Sequence, residues 1–133
     1  MNRHYVEVAE RAGHHCEYCL APEAIFNLHF EVEHIVPTSR GGSGESSNLS
    51  LACRSCNLFK ADRLSDVNEE TGEIDEIFNP RTQNWHDHFR LRAETGMIEG
   101  TSPVGRVTAN CLRMNRDAAC EARRMWIRLG MLP

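Results

Sequence analysis

The sequence predicts an α+β fold built around a strand, a loop, a second strand and a helix. Three observations predict it. Apolar and polar residues alternate along residues 28–33 of the run LHFEVEHIV, and the segment NLSLAC is a second candidate strand. Residues 54–63 follow with good helix formers and neither Gly nor Pro, so they favour a helix. Two CxxC pairs, one before the first strand and one after the second, bracket the unit.

The composition indicates one ordinary domain. The chain has 133 residues, of which 41% are hydrophobic and 26% are charged, and no apolar run approaches the ~20 residues of a membrane helix. The N-terminus lacks the apolar stretch of a signal peptide. We therefore expect a soluble, intracellular (cytoplasmic) protein in which residues 1–133 form a single domain, with a core at about 14–63 and a C-terminal extension at about 64–133.

The elements before the core follow from local signals. Asn2 can cap a first helix over about residues 3–12, which Gly13 would end. The strand over 28–36 should end at Pro37, because proline has no N–H for strand pairing. The polar, glycine-rich stretch TSRGGSGESS then predicts a loop before the second strand.

The C-terminal extension predicts a β-hairpin and α-helices. Residues 66–80 indicate an exposed acidic turn with a strand restarting at Ile77. The segments WHDHFRLR and MIEG, separated by AETG, favour a hairpin. The signal TSP predicts a helix over about residues 103–114, and Asn115 could cap a second helix that Gly130 ends.

The spacing of the cysteines indicates a metal site. Cys16 and Cys19 form one CxxC pair and Cys53 and Cys56 form the other, and two such pairs supply the four thiolates that structural Zn²⁺ favours. A redox-active CxxC or metal-free buried thiols are the alternatives. Cys111 and Cys120 have no partner at ligand spacing, so they are interpreted as small buried residues.

The motif between the cysteine pairs resembles that of the HNH endonuclease family, also described as ββα-metal nucleases. The matching residues are EHIVP at 33–37, the two glycines at 41–42, NL at 48–49, and then Cys53, Cys56, Asn57 and Lys60. The resemblance covers about residues 14–63 and implies a ββα-metal (HNH) nuclease core with a structural zinc site. Asn57 stands where the family name calls for a final histidine, which is a common variant.

The residue types suit hydrolysis of a phosphodiester bond. Such a reaction needs a base for the attacking water and a counter-charge for the phosphate in the transition state. His34 is the predicted base, because an imidazole titrates near neutral pH. Glu33 and Asn57 are predicted oxygen ligands for a catalytic Mg²⁺ or Mn²⁺. The resemblance further implies DNA as the substrate, with a 5′-phosphate and a 3′-hydroxyl as products.

The remaining site residues receive supporting roles. In the family, the residue at the position of Asn48 holds the loop after the catalytic histidine by hydrogen bonds, which would orient the imidazole. The predicted phosphate contacts are Lys60, one turn after Asn57, together with Arg40, Arg54 and Arg63. Each of these four could instead be an ordinary solvated charge. A net charge of −4 does not exclude DNA, because binding depends on the local patch.

Two functions of different classes therefore remain open. One is a metal-dependent DNA endonuclease, and the other is a zinc-stabilised nucleic-acid-binding module without catalytic activity. The combination of Glu33, His34 and Asn57 favours the nuclease, because a binding module needs no base beside two metal ligands.

Overall fold

The computed structural model describes residues 1–133 and contains four α-helices and three two-stranded antiparallel sheets, so the predicted α+β class is confirmed. None of the helices combines the length and apolar content needed to span a membrane. In chain order the elements are α1 (Tyr5–Arg11), β1 (Glu31–His34), β2 (Leu49–Ala52), α2 (Arg54–Lys60), β3 (Ser65–Val67), β4 (Ile74–Glu76), β5 (Phe89–Leu91), β6 (Ile98–Gly100), α3 (Pro103–Cys111) and α4 (Asp117–Arg128).

The predicted order of two strands and a helix is confirmed. Strand β1 pairs with β2 in an antiparallel register that places Glu33 opposite Ser50 and His34 opposite Leu49. All four residues of β2 are buried. Helix α2 begins directly after β2, because Cys53 is its N-cap residue and the Cys53 sulfur accepts a hydrogen bond from the backbone N–H of Cys56. The segment thereby turns sharply from strand into helix.

A single cluster of buried apolar side chains includes residues from both halves of the chain. Val8 and Leu51 come from the first half, while Ile98 and Leu112 come from the C-terminal extension, and all four are fully shielded from solvent. The extension therefore packs on the first half through a shared core.

The region after α2 differs from the sequence prediction. The predicted exposed acidic turn is present at residues 69–73, but it joins β3 and β4 in a hairpin that was not predicted, and the strand expected at Ile77 is absent. The buried Asn68 closes the turn, since its backbone oxygen accepts hydrogen bonds from Thr71 (3.3 Å) and Gly72 (2.8 Å). The Asn68 side chain also accepts from the Glu70 N–H and donates to Asp75 Oδ2, both at 3.0 Å, so this residue is buried within a turn that is otherwise exposed.

Two predicted helix caps have different outcomes. Ser102, in the TSP signal, caps α3 by accepting a hydrogen bond from the backbone N–H of Gly105 at 3.0 Å. Asn115 does not cap α4, so that prediction is wrong. Its side-chain amide instead bonds to the backbone N–H (2.8 Å) and oxygen (2.9 Å) of Ile98 in β6. This contact ties the last hairpin to the segment between the two C-terminal helices.

Candidate functional site

The four cysteines of the two CxxC pairs form one buried cluster. Their sulfur atoms all lie within 4.8 Å of one another, and the Sγ atoms of Cys19 and Cys53 are 3.6 Å apart. Four sulfurs at ~2.3 Å from a central zinc would stand ~3.8 Å apart, so the cluster fits a tetrahedral site. Each pair also shows an N–H to sulfur hydrogen bond of 3.5 Å across its turn, to Cys16 and to Cys53.

The environment of the cluster favours a bound cation. Burial raises the pKa of the Cys16 thiol well above its usual value, while hydrogen bonds from the other three thiols lower the pKa of Cys19. Four thiolates cannot be buried together without a counter-charge, which a zinc ion would supply. The grouping of four cysteines therefore indicates structural zinc. The alternatives of a redox-active CxxC and of metal-free buried thiols lose support because all four sulfurs lie within 4.8 Å of one another.

His34 and Asn48 lie at the end of the β1 and β2 pair that the connecting loop joins. The His34 side chain is half-buried and makes no hydrogen bond within the chain, so its ring nitrogens are free for water or substrate. The hydrogen bonds predicted for Asn48 are present. Its Oδ1 accepts from the Val36 N–H at 2.9 Å, and its Nδ2 donates to the oxygens of Val36 (3.0 Å) and Ser43 (2.8 Å). Asn48 thus closes the loop that follows His34.

Glu33 and Lys60, the predicted metal ligand and phosphate contact, form a buried ion pair. Glu33 Oε1 lies 2.5 Å from Lys60 Nζ, and the two side chains are only 4% and 2% exposed. Glu33 Oε2 accepts hydrogen bonds from Tyr18 (2.9 Å) and Ser50 (2.8 Å), while Lys60 also donates to the Ile35 oxygen at 3.0 Å. Burial and the charge of Glu33 raise the pKa of Tyr18 well above its usual value, so Tyr18 stays a donor.

This ion pair corrects two sequence predictions. The Lys60 ammonium has no solvent-facing side on which a phosphate could sit, so its role in this structure is to neutralise Glu33. Both oxygens of Glu33 are likewise occupied by protein groups, namely Lys60, Tyr18 and Ser50. The alternation along β1 groups Glu33 with the polar residues of the strand, and it gives no signal that the carboxylate would be buried against Lys60.

Replacing Lys60 with methionine is therefore expected to lower the free energy of unfolding by ~3–5 kcal/mol, because the Glu33 carboxylate would stay buried without a cation. Adding Glu33→Gln should recover part of that loss, since the amide oxygen can still accept from Tyr18 and Ser50. Arg54→Met, on the exposed side of the same helix, is the matched control and should change stability by no more than ~0.5 kcal/mol. Chemical denaturation would measure all three, and equal effects of Lys60→Met and Arg54→Met would contradict the buried pair.

The carboxylate that the structure brings to Asn57 is Glu31. The Asn57 side-chain amide on α2 contacts Glu31 Oε2 on β1, and both residues line an open cleft of about 490 Å³. Carboxylate and amide oxygens are suitable ligands for Mg²⁺ or Mn²⁺, and the amide can rotate to present its oxygen. Sequence reasoning missed Glu31, although its position two residues before Glu33 places both side chains on the same face of β1.

The three predicted arginine contacts lie in different settings. Arg54 is exposed and makes no contact with another polar group of the chain. Arg40 is exposed, and its Nε donates to the Asp62 oxygen at 2.8 Å. Arg63 is about half exposed and donates to the Cys111 sulfur at 3.2 Å. All three retain guanidinium surface that phosphates can reach, which their predicted role requires.

Comparison with known proteins identifies the class to which the site belongs. Residues 16–63 match the model of the family described as HNH endonuclease. No curated protein and no solved structure matches the chain. The matched segment contains both cysteine pairs, β1, β2 and α2. Residues 16–63 are therefore similar to an HNH endonuclease domain, as the motif had predicted, and the family suggests nuclease activity in general.

Proposed function

We propose that the protein is a metal-dependent DNA endonuclease that hydrolyses phosphodiester bonds with His34 as the general base. The observation that carries the proposal is the contact between Asn57 and Glu31 in an open cleft, on the strand that ends in His34. The two candidate metal ligands therefore lie on β1 (Glu31) and on the neighbouring α2 (Asn57). The imidazole of His34, which has no hydrogen-bond partner in the chain, lies at the end of β1. All 133 residues, core and extension, would act as one domain.

The residues of this chain would divide the chemistry between them. His34 would take the proton from the attacking water, and Asn48 would keep the loop after His34 in place through its three hydrogen bonds. Glu31 and Asn57 would hold the divalent metal in place of the predicted pair of Glu33 and Asn57. A bound Mg²⁺ or Mn²⁺ would neutralise charge on the phosphate and the leaving oxygen.

Products and substrate binding follow from this assignment. The resemblance to HNH nucleases implies that the 3′ oxygen is the leaving group, which would leave a 5′-phosphate and a 3′-hydroxyl. The DNA phosphates would be contacted by Arg40, Arg54 and Arg63. Each guanidinium that neutralises a phosphate releases a counterion from the DNA, and this release favours binding. The one carboxylate that lines the cleft, Glu31, would repel a phosphate until the metal is bound.

Substitution of Glu31 tests the metal assignment. Glu31→Ala and Asn57→Ala are each expected to reduce Mg²⁺- or Mn²⁺-dependent nicking of supercoiled plasmid by at least ~10–100-fold, because losing a direct ligand should cost no less than losing a supporting one. DNA affinity without divalent metal should hold, or rise for Glu31→Ala, since a carboxylate facing phosphates is removed. Plasmid gels and fluorescence anisotropy are the two measurements.

The control is Glu45→Ala, which removes an equal charge from an exposed loop position and should leave cleavage unchanged. If Glu31→Ala cleaves as fast as the parent, Glu31 is not a metal ligand and another carboxylate must hold the metal. If the parent binds DNA but cuts none with Mg²⁺, Mn²⁺ or Zn²⁺, the protein is a zinc-stabilised binding module and not a nuclease.

A further inference from the structure

The cleft that contains Glu31 and Asn57 has a third potential ligand. His29 lies two residues before Glu31 and lines the same cleft. Phe30, between them, is buried in the core at 4% exposure, so the chain alternates and both neighbours face outward. The sequence motif gives no signal for His29, which precedes the matching stretch EHIVP.

The buried carboxylate of Glu23 determines which hydrogen bonds Tyr5, the neighbour of His29, can make. Tyr5 donates its single hydroxyl proton to Glu23 Oε1 at 2.6 Å. Burial and this hydrogen bond raise the pKa of Tyr5 to about 12, so the proton stays on the phenol. Glu23 also accepts from the Phe30 N–H at 2.6 Å and contacts His14 Nδ1 at 2.8 Å. Burial acts to raise the pKa of Glu23, but these hydrogen bonds outweigh it, so its pKa lies below the usual value.

This network determines which nitrogen of His29 carries the proton. His29 Nδ1 lies 2.9 Å from the Tyr5 oxygen. Because the Tyr5 proton already points to Glu23, the oxygen can only accept, and Nδ1 must donate. The lone pair of a neutral His29 is therefore on Nε2, which makes no hydrogen bond within the chain. Histidines that bind metals have this arrangement, with the other ring nitrogen donating to a supporting group that fixes the tautomer.

We propose that His29 Nε2 is a third protein ligand, beside Glu31 and Asn57, for the divalent metal in this cleft. The proposal rests on the proposed function to the extent that Glu31 and Asn57 are the metal ligands. One imidazole nitrogen and two oxygens suit Mn²⁺ and the later first-row metals better than Mg²⁺, which favours oxygen ligands alone. Tyr5 and Glu23 act as positioning residues for the ring.

Mn²⁺ alone, without DNA, is the probe for this ligand. In the zinc-loaded parent, electron spin echo spectroscopy of bound Mn²⁺ should show coupling to a directly bound ¹⁴N nucleus. His29→Gln should lose that coupling and weaken Mn²⁺ binding by at least ~10-fold, measured from the signal of free Mn²⁺. The ratio of Mn²⁺ to Mg²⁺ affinity should also fall, because the remaining ligands are oxygens.

Tyr5→Phe tests the supporting network separately. The ¹⁴N coupling should remain, while Mn²⁺ affinity should fall by ~10-fold or more because Nδ1 loses its acceptor. His86→Gln is the matched control, since His86 is exposed on the turn before β5 and should change neither measurement. Circular dichroism checks that each variant keeps its fold.

The results separate this proposal from the nuclease assignment. Loss of the ¹⁴N coupling in His29→Gln supports His29 as a ligand even if the parent cuts no DNA. Coupling that survives in His29→Gln but disappears in His34→Gln would overturn it and assign the nitrogen to His34. A parent that cleaves plasmid with Mn²⁺ but shows no ¹⁴N coupling, or that binds no Mn²⁺, would also overturn it.

Discussion

Cys53→Ser is expected to unfold the HNH segment and not merely to slow it. The four cysteine sulfurs are buried within 4.8 Å of one another, and Cys53 is also the N-cap of α2. Structural zinc contributes an apparent ~10–16 kcal/mol in small metal-dependent domains, which is as large as the whole net stability of ~5–15 kcal/mol of most domains. Circular dichroism should show loss of helix, and elemental analysis should fall from about one zinc per chain to none.

Cys120→Ser is the matched control for this result. Cys120 is a half-buried cysteine whose sulfur lies 4.0 Å from Asn115 Oδ1, outside the cluster. Its substitution should leave both zinc content and fold intact. Removal of zinc from the parent by a strong chelator should reproduce the effect of Cys53→Ser. A protein that stays folded and active with no zinc would contradict the assignment of the cluster.

His34→Ala is expected to reduce cleavage by ~10²–10⁴-fold while leaving the fold and DNA affinity nearly unchanged. The imidazole is half-buried and has no protein hydrogen bond, so its removal leaves no unpaired polar group. The rate of plasmid nicking and the affinity measured by anisotropy without metal would test both parts of this expectation.

His86→Ala, at an exposed position before β5, is the control and should cut at the parent's rate. Added imidazole should restore part of the lost activity of His34→Ala, because it can replace a missing base but not a missing structural contact. If His34→Ala nicks plasmid as fast as the parent, His34 is not the base.

The sequence predicted the features that depend on local signals and on residue spacing. The two strands and α2 follow from alternation and from the absence of helix breakers, and the cysteine cluster follows from two CxxC pairs. Ser102 caps α3 as its place before Pro103 predicted. The strands, α2 and the cap of α3 depend on residues within a few positions of one another in the sequence. The cysteine cluster depends on four thiols that can bind one zinc ion only if they come together.

The predictions that differ concern partners supplied by distant parts of the chain. Whether the Glu33 carboxylate binds a metal ion or pairs with a side-chain ammonium depends on Lys60 and Tyr18. Both residues are distant from Glu33 in the sequence, and the fold brings them into contact with it. Asn115 turns to β6 because its amide satisfies both backbone groups of Ile98. Alternation along a strand defines the face on which a side chain lies, but not which group packs against that face.

The short helix α2 is anchored at both ends. Seven residues form too few turns for a helix to be stable alone in water. Cys53 and Cys56 attach its first turn to the thiol cluster, and Lys60 attaches its last turn to Glu33. Any rotation or slide that moved Asn57 would break one of these attachments. Asn57 is thus preorganised, and little reorganisation of the protein would be needed when the cleft receives its metal and substrate.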